Sequence, residues 1–339
     1  MGAESGADRR FAAGGLALAT LGPLVLAPMV ATPTGTGISP VLGVLVVVAY
    51  VGHVPVTGWL WADPGVRRRV RSHPARLVAL PAALALGAVG LAVAVPHHWL
   101  VWLLLAFFAW QFHHFQRQNL GLVTLVAAMW GAGGASPAER RAVAVAGWCG
   151  VAGLVTRPVL LGLGGVAPPP WLPAVAVGLG GATVAGCAVA TVVAAHRDHR
   201  PAVVAGAAVT AVLFVAPVFV FHGAQAAVTG MVVAHGLQYL WVVGLRTGPT
   251  GVAPPGAWRR RPGTALGVVA LAVVGGALLS AMAETRPGGT VVRAVSGAYF
   301  GIVLAHFSLD GALWRRPSAG RPTPLRRAVL LPSRAHGGR

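Results

Sequence analysis

The sequence predicts an all-α fold: a polytopic transmembrane bundle of about ten helices with both termini cytoplasmic. Three observations carry that prediction. The chain is 56% hydrophobic, with a mean hydropathy of +0.72 and only 10% charged residues, against about 25% for a soluble domain. Apolar stretches long enough to cross a hydrocarbon core of about 30 Å recur along the length. The arginines between them fall on alternate connections, as the bias toward positive cytoplasmic loops requires.

The first apolar run, 12–31, follows Arg9 and Arg10. It is long for a signal-peptide core and lacks a convincing small-residue cleavage site, so it reads as a retained span. The remaining spans are placed at 38–60, 77–95, 98–118, 142–163, 171–194, 202–221, 223–244, 264–284 and 292–314. Breaker chemistry separates them: Pro64-Gly65, Gly131 to Gly134, Pro168 to Pro170 and Pro254-Pro255-Gly256. The fourth span is ambiguous, because apolar sequence continues to Trp130. It is either one long tilted helix or a helix that breaks near Asn119 and Gly121 and continues along the interface.

With a cytoplasmic N-terminus, 22 of the 26 basic residues lie on inside connections or the tail. Arg286 and Arg293 lie outside, and Arg117 and Arg157 fall within or at the ends of spans. A single integral membrane domain over 1–316 and a basic flexible cytoplasmic tail over 317–339 follow. The net charge of +19 does not indicate nucleic acid, because the arginines are spread over short loops and a tail rather than one folded face. Membrane lipid is the expected partner of the tail. Lysine is absent and Ala, Gly and Val abound, which fits a GC-rich bacterial genome and a multi-pass protein of the bacterial cytoplasmic (inner) membrane. Cys149 and Cys187 lie inside spans and have no metal-knuckle or disulfide spacing.

Five histidines, His53, His113, His114, His235 and His306, sit on apolar helices. Counting from the outer end of each span puts them roughly 18–23 Å below the outer surface at 1.5 Å per residue. Four helices thus deliver imidazole to one slab in the cytoplasmic half of the membrane. Ionisable side chains there are costly and mark functional interiors. His306 and Asp310 are four residues apart on one helical face. His114 has Gln118 at the same spacing, and His235 has Gln238 and Tyr239 one turn on. His113 points about 100° away from His114, toward a second ion or an outer role. His53, His113, His114, His235, His306 and Asp310 are therefore the expected metal ligands. Gln118, Gln238 and Tyr239 would orient imidazoles by hydrogen bonds or touch substrate. His97 and His98 belong to an interfacial aromatic belt, and His73, His196, His199 and His336 to solvated loops. His222, in a His-Gly-Ala-Gln run that echoes His235-Gly-Leu-Gln238, falls at an outer turn, unless a re-entrant helix brings it in.

Imidazoles with one carboxylate suit iron, zinc or copper better than magnesium or calcium. Two iron ions in such a site would bind and reduce dioxygen, in an oxygenation, hydroxylation or desaturation of a small or lipophilic substrate. Electrons would come from a separate donor protein. No nucleophile elbow, P-loop or dinucleotide fingerprint is present. Two alternatives share the histidines: a heme-binding electron-transfer protein with axial imidazoles, and a metal or proton transporter, which would need polar groups through both leaflets.

The segments Phe112-His-His-Phe-Gln-Arg-Gln-Asn-Leu-Gly121, His235-Gly-Leu-Gln-Tyr239 and His306-Phe-Ser-Leu-Asp-Gly-Ala-Leu-Trp-Arg315 resemble patterns in bacterial polytopic histidine-rich membrane proteins. In logic these are similar to membrane non-heme diiron enzymes such as fatty-acid desaturases and alkane hydroxylases. They are also similar to the small membrane oxygenases of azoxy natural-product pathways, which act on nitrogen. The resemblance covers about a tenth of the chain and lacks the HxxxH and HxxHH boxes of desaturases. It implies a diiron oxygenase of specialised metabolism.

Overall fold

The computed structural model describes residues 3–31, 39–59, 70–163, 167–247 and 289–314, with isolated positions at 67, 267, 270, 273 and 274. All regular structure among the described residues is helical. The helices are α1 (Ala3–Val30), α2 (40–59), α3 (75–94), α4 (His97–Met129), α5 (Pro137–Val155), α6 (Trp171–Arg197), α7 (Ala202–Leu213), α8 (225–247) and α9 (Thr290–Trp314). Six of them contain a stretch long and apolar enough to cross a membrane: Arg9–Val30, Pro40–Thr57, Ala75–Ala94, Trp171–Arg197, Gln225–Gly244 and Thr290–Gly311. That is the mark of a multi-pass membrane protein, and large apolar side chains such as Leu18, Leu86 and Leu179 are correspondingly exposed along these helices.

The other four expected spans fare differently. The fourth is one unbroken 33-residue helix, about 50 Å long at 1.5 Å per residue, so the chain does not break at Asn119. Its polar run from Gln111 to Asn119 keeps it below span-like hydropathy. The fifth is the 19-residue α5, diluted by Glu139, Arg140 and Arg141. The seventh is shortened, because α7 stops at Leu213 and resumes only as the single turn Pro217–Val220. Pro217 has no N–H to continue the ladder. Apart from those isolated positions, the ninth span, 264–284, lies outside the described residues, as do the tail, 317–339, Arg259 to Arg261, Arg286 and His336.

The chain groups into two compact units. The first comprises Met1–Val44 and His97–Gln238, the second Leu45–Pro96 and Tyr239–Arg339.

In the first unit, α4 to α7 pack together. Helix α5 opens on the capping box Ser136-Pro-Ala-Glu139: the Ser136 hydroxyl accepts from the Glu139 N–H at 3.2 Å, and Glu139 Oε2 accepts from the Ser136 N–H at 2.6 Å. Arg200 grips the same carboxylate through both oxygens, at 3.2 and 3.0 Å, and donates to the carbonyls of Ala132 and Gly134 at 2.8 and 2.6 Å. One guanidinium thus ties the α4–α5 connection to the α6–α7 connection. Arg9 donates to the last carbonyl of α4, Met129, at 3.3 Å. At the opposite ends, Arg157 beyond α5 donates to the Phe221 carbonyl at 3.4 Å.

In the second unit, α9 lies directly on α3. A Cβ at Gly301 would stand 2.6 Å from the Ala85 carbonyl oxygen, and one at Gly297 would stand 2.7 Å from the Ala92 Cβ. Two glycines four residues apart let the backbones touch, the small-xxx-small packing of membrane helices. Arg293, in the first turn of α9, donates to the Ala92 carbonyl at 2.6 Å and to that of Val95. It satisfies carbonyls that the end of α3 would otherwise leave open.

Candidate metal centre

In the second unit a π-helical turn at Val46–Val51 precedes Gly52–Trp59, which carries His53, Pro55 and Thr57. A π turn inserts one residue and rotates everything beyond it, and such turns gather at functional positions. The His53 ring folds back so that its Nδ1 meets the Tyr50 carbonyl oxygen. That oxygen can only accept, so Nδ1 carries the proton and Nε2 the lone pair. This Nε2 lies 3.1 Å from Nε2 of His306 on α9. Nδ1 of His306 lies 2.6 Å from the Thr57 hydroxyl, itself 2.9 Å from the Tyr239 hydroxyl. A ligating atom of His306 and one of Asp310, one turn later on α9, come within 4.8 Å of each other. His53, Thr57, Tyr239, His306 and Asp310 are all buried.

The two imidazoles have the geometry of neighbouring ligands on one ion. Nitrogens about 2.1 Å from a common ion and 3.1 Å apart subtend about 95° at it. Nitrogens on opposite faces of a heme iron would stand about 4.2 Å apart by the same arithmetic. The ring centroids agree, at 4.7 Å with a 78° interplanar angle. Two buried imidazoles with adjacent nitrogens, one of them beside a buried carboxylate, offer donors of the kind a divalent transition metal takes.

The first unit holds a second imidazole pair. His114 on α4 and His235 on α8 have ring centroids 5.2 Å apart at 76°. Phe115 stacks on His235 at 4.1 Å and fixes its ring plane.

An amide network lies beside this pair. Gln118 Nε2 donates to the His235 carbonyl and to Gln238 Oε1, both at 3.0 Å. Gln238 Nε2 donates to Thr20 Oγ1 at 2.9 Å and to Asn119 Oδ1 at 3.0 Å. Asn119 Nδ2 donates to Gln116 Oε1 at 2.8 Å, and Gln116 Nε2 reaches the Ala211 carbonyl at 3.3 Å. Gln116 fits because a Cβ at Gly147 of α5 would lie 2.8 Å from its Cγ. Main-chain carbonyls at both ends can only accept, so the direction of every amide is fixed.

Of the sequence-predicted ligands, the structure brings His53 to His306 and His306 to Asp310 in one unit, and His114 to His235 in the other. It turns His113 away: that half-buried ring lies on Trp148 of α5, centroids 4.7 Å apart, with Trp110 on its other flank. The 100° between successive helical residues separates it from His114. Gln118 and Gln238 are interhelical connectors, and Tyr239 belongs to the His53–His306 group through Thr57. His222 is exposed, as are His73, His98, His196 and His199. The residue that sequence reasoning passed over is Thr20. A hydroxyl on an apolar helix usually bonds its own preceding turn, as Thr20 also does to Leu16, so nothing in the sequence marks this one as reaching across. No protein-family model, no curated protein and no solved structure matches the chain, so the site stands on its own geometry.

Proposed function

We propose that the protein is a membrane-embedded metalloenzyme, a non-heme iron oxygenase of the bacterial inner membrane with cytoplasmic termini. His53, His306 and Asp310 would hold one iron, and the His114–His235 pair would contribute to a second. One observation carries the reading: two buried imidazole nitrogens 3.1 Å apart, with a buried carboxylate one helical turn from one of them. Burying these groups in an apolar bundle is expensive unless an ion or a complete hydrogen-bond set repays it. Bound iron would supply dioxygen binding and reduction, and the oxidised substrate would be small or lipophilic. Electrons would come from a separate donor protein. The arginine distribution supports the orientation, since Arg9 and Arg200 both hold the end of α4 and the α4–α5 connection, which the bias assigns to the cytoplasmic side. The 3.1 Å between the His53 and His306 nitrogens, shorter than two axial ligands of one heme iron would allow, favours this reading over a heme carrier.

The test is elemental analysis of protein purified in mild detergent from iron-replete cells. The expected result is close to one or two irons per chain and no Soret absorption. His306→Ala should lose the iron while keeping its helical circular dichroism. Full iron content in that variant, or a stoichiometric heme spectrum in the parent, would overturn the proposal.

A further inference from the structure

The hydrogen-bond chain through Thr57 can run in either direction, and the direction decides whether the two imidazoles can share an ion. His53 is fixed as the Nδ1–H form by the Tyr50 carbonyl. Its Nε2 lone pair therefore always faces Nε2 of His306. In one arrangement Tyr239 donates to Thr57, Thr57 donates to His306 Nδ1, and His306 Nε2–H donates to His53. The gap between the imidazoles is then closed by a proton. In the other, His306 Nδ1–H donates to the Thr57 oxygen and the Thr57 hydroxyl donates to the Tyr239 oxygen. Two lone pairs then face each other across 3.1 Å, an arrangement that repels unless a cation sits between them. The two arrangements hold the same number of protons on His306. They differ in which ring nitrogen carries one and in which way the Thr57 hydroxyl points.

From this we infer that Thr57, with Tyr239 behind it, is a positioning residue for the metal centre. As a bound hydroxyl acceptor it holds His306 in the Nδ1–H tautomer, so that Nε2 of His306 and Nε2 of His53 can share a divalent transition-metal ion. The inference rests on the proposed metal site and deepens it. Thr57 touches no ion itself. It sits one turn from His53 on α2 and reaches His306 on α9 at 2.6 Å, so one side chain couples the two ligands. Hydrogen bonds of this kind to ligating imidazoles typically change metal affinity 10- to 100-fold. Tyr239 supplies the acceptor at the far end, 2.9 Å from Thr57.

The experiment is an anaerobic titration of the full-length protein in detergent with Co2+, read by its d–d absorption, for the parent and for Thr57→Val, Thr57→Ser and Tyr239→Phe. The valine variant keeps the volume and removes the hydroxyl. It should bind Co2+ roughly 10- to 100-fold more weakly, and serine should restore affinity to within about threefold. Tyr239→Phe should fall between. Nitrogen-15 spectra of imidazole-labelled protein loaded with Zn2+ should show His306 protonated at Nδ1 in the parent. Parent affinity in the valine variant, or a His306 protonated at Nε2 in the loaded parent, would overturn the role of Thr57 and leave the metal site standing. A parent that binds no Co2+ would instead overturn the metal site itself. Helical circular dichroism verifies that each variant is folded, and Tyr239→Phe carries the test if Thr57→Val is not.

Discussion

Nε2 of His53 and Nε2 of His306 stand 3.1 Å apart although 253 residues separate them in the chain. The approach depends on main-chain features as much as on the rings. The π turn at Val46–Val51 sets the direction of the His53 face. Close packing of α9 on α3 through Gly297 and Gly301 sets the position of the helix that carries His306. Each consequence can be measured.

His113 and His306 should behave oppositely. His113→Ala should leave metal content within error of the parent, because its ring lies between Trp110 and Trp148. His53→Ala, His306→Ala and Asp310→Asn should each lower metal affinity at least about 10-fold. Parallel iron analysis of the four variants checks this, and loss of iron in His113→Ala would show that α4 contributes a ligand from a face the structure turns toward α5.

Breaking the clamp on α5 should be costly. Arg200 is the bidentate partner of a Glu139 carboxylate that is only 2% exposed. Arg200→Ala would leave that charge buried and unbind the Ala132 and Gly134 carbonyls. Losing one member of a buried pair costs about 3–5 kcal/mol. The apparent Tm in detergent should fall by several degrees, and Glu139→Gln with Arg200→Gln should recover part of the loss. An unchanged Tm in Arg200→Ala would show that the clamp contributes nothing.

The α3–α9 contact predicts a contrast between glycines. Gly301→Ala places a Cβ 2.6 Å from a backbone oxygen, which cannot rotate away, so α9 must move off α3 at a cost of about 1–3 kcal/mol. Gly87→Ala on α3 meets nothing within 4 Å and should be neutral or slightly stabilising. Thermal unfolding of both variants checks the sign of each. Because α9 carries His306 and Asp310, Gly301→Ala should also weaken metal binding, and Gly87→Ala should not.

The amide network predicts unequal penalties. Gln238 donates both its protons and accepts one, so Gln238→Leu strands Gln118, Asn119 and Thr20 at once. A stranded buried polar group costs about 1–3 kcal/mol. Gln116→Leu frees one Asn119 amide proton and the longer contacts to the Val143 and Ala211 carbonyls, and should cost less. Equal melting temperatures for the two variants would mean that the network does not act as a unit.

Composition and hydropathy determined the helical class and six of the ten expected membrane-length helices, because a long apolar segment satisfies its own backbone most simply as a helix. The spacing of His306 and Asp310 also determined that they share a face, since helical geometry is local. What the sequence left open is which faces meet. It counted His113 with His114 by depth, and depth says nothing of azimuth: the packing of α5 on α4 sends one ring to Trp148 and the other toward His235. It gave Tyr239 to the neighbourhood of His235, whereas the tertiary structure joins Tyr239 to His306 through Thr57. Contacts between helices hundreds of residues apart follow from how closely glycine and alanine let backbones approach and from where π turns rotate a helix. Those are properties of packed pairs, which no single segment encodes.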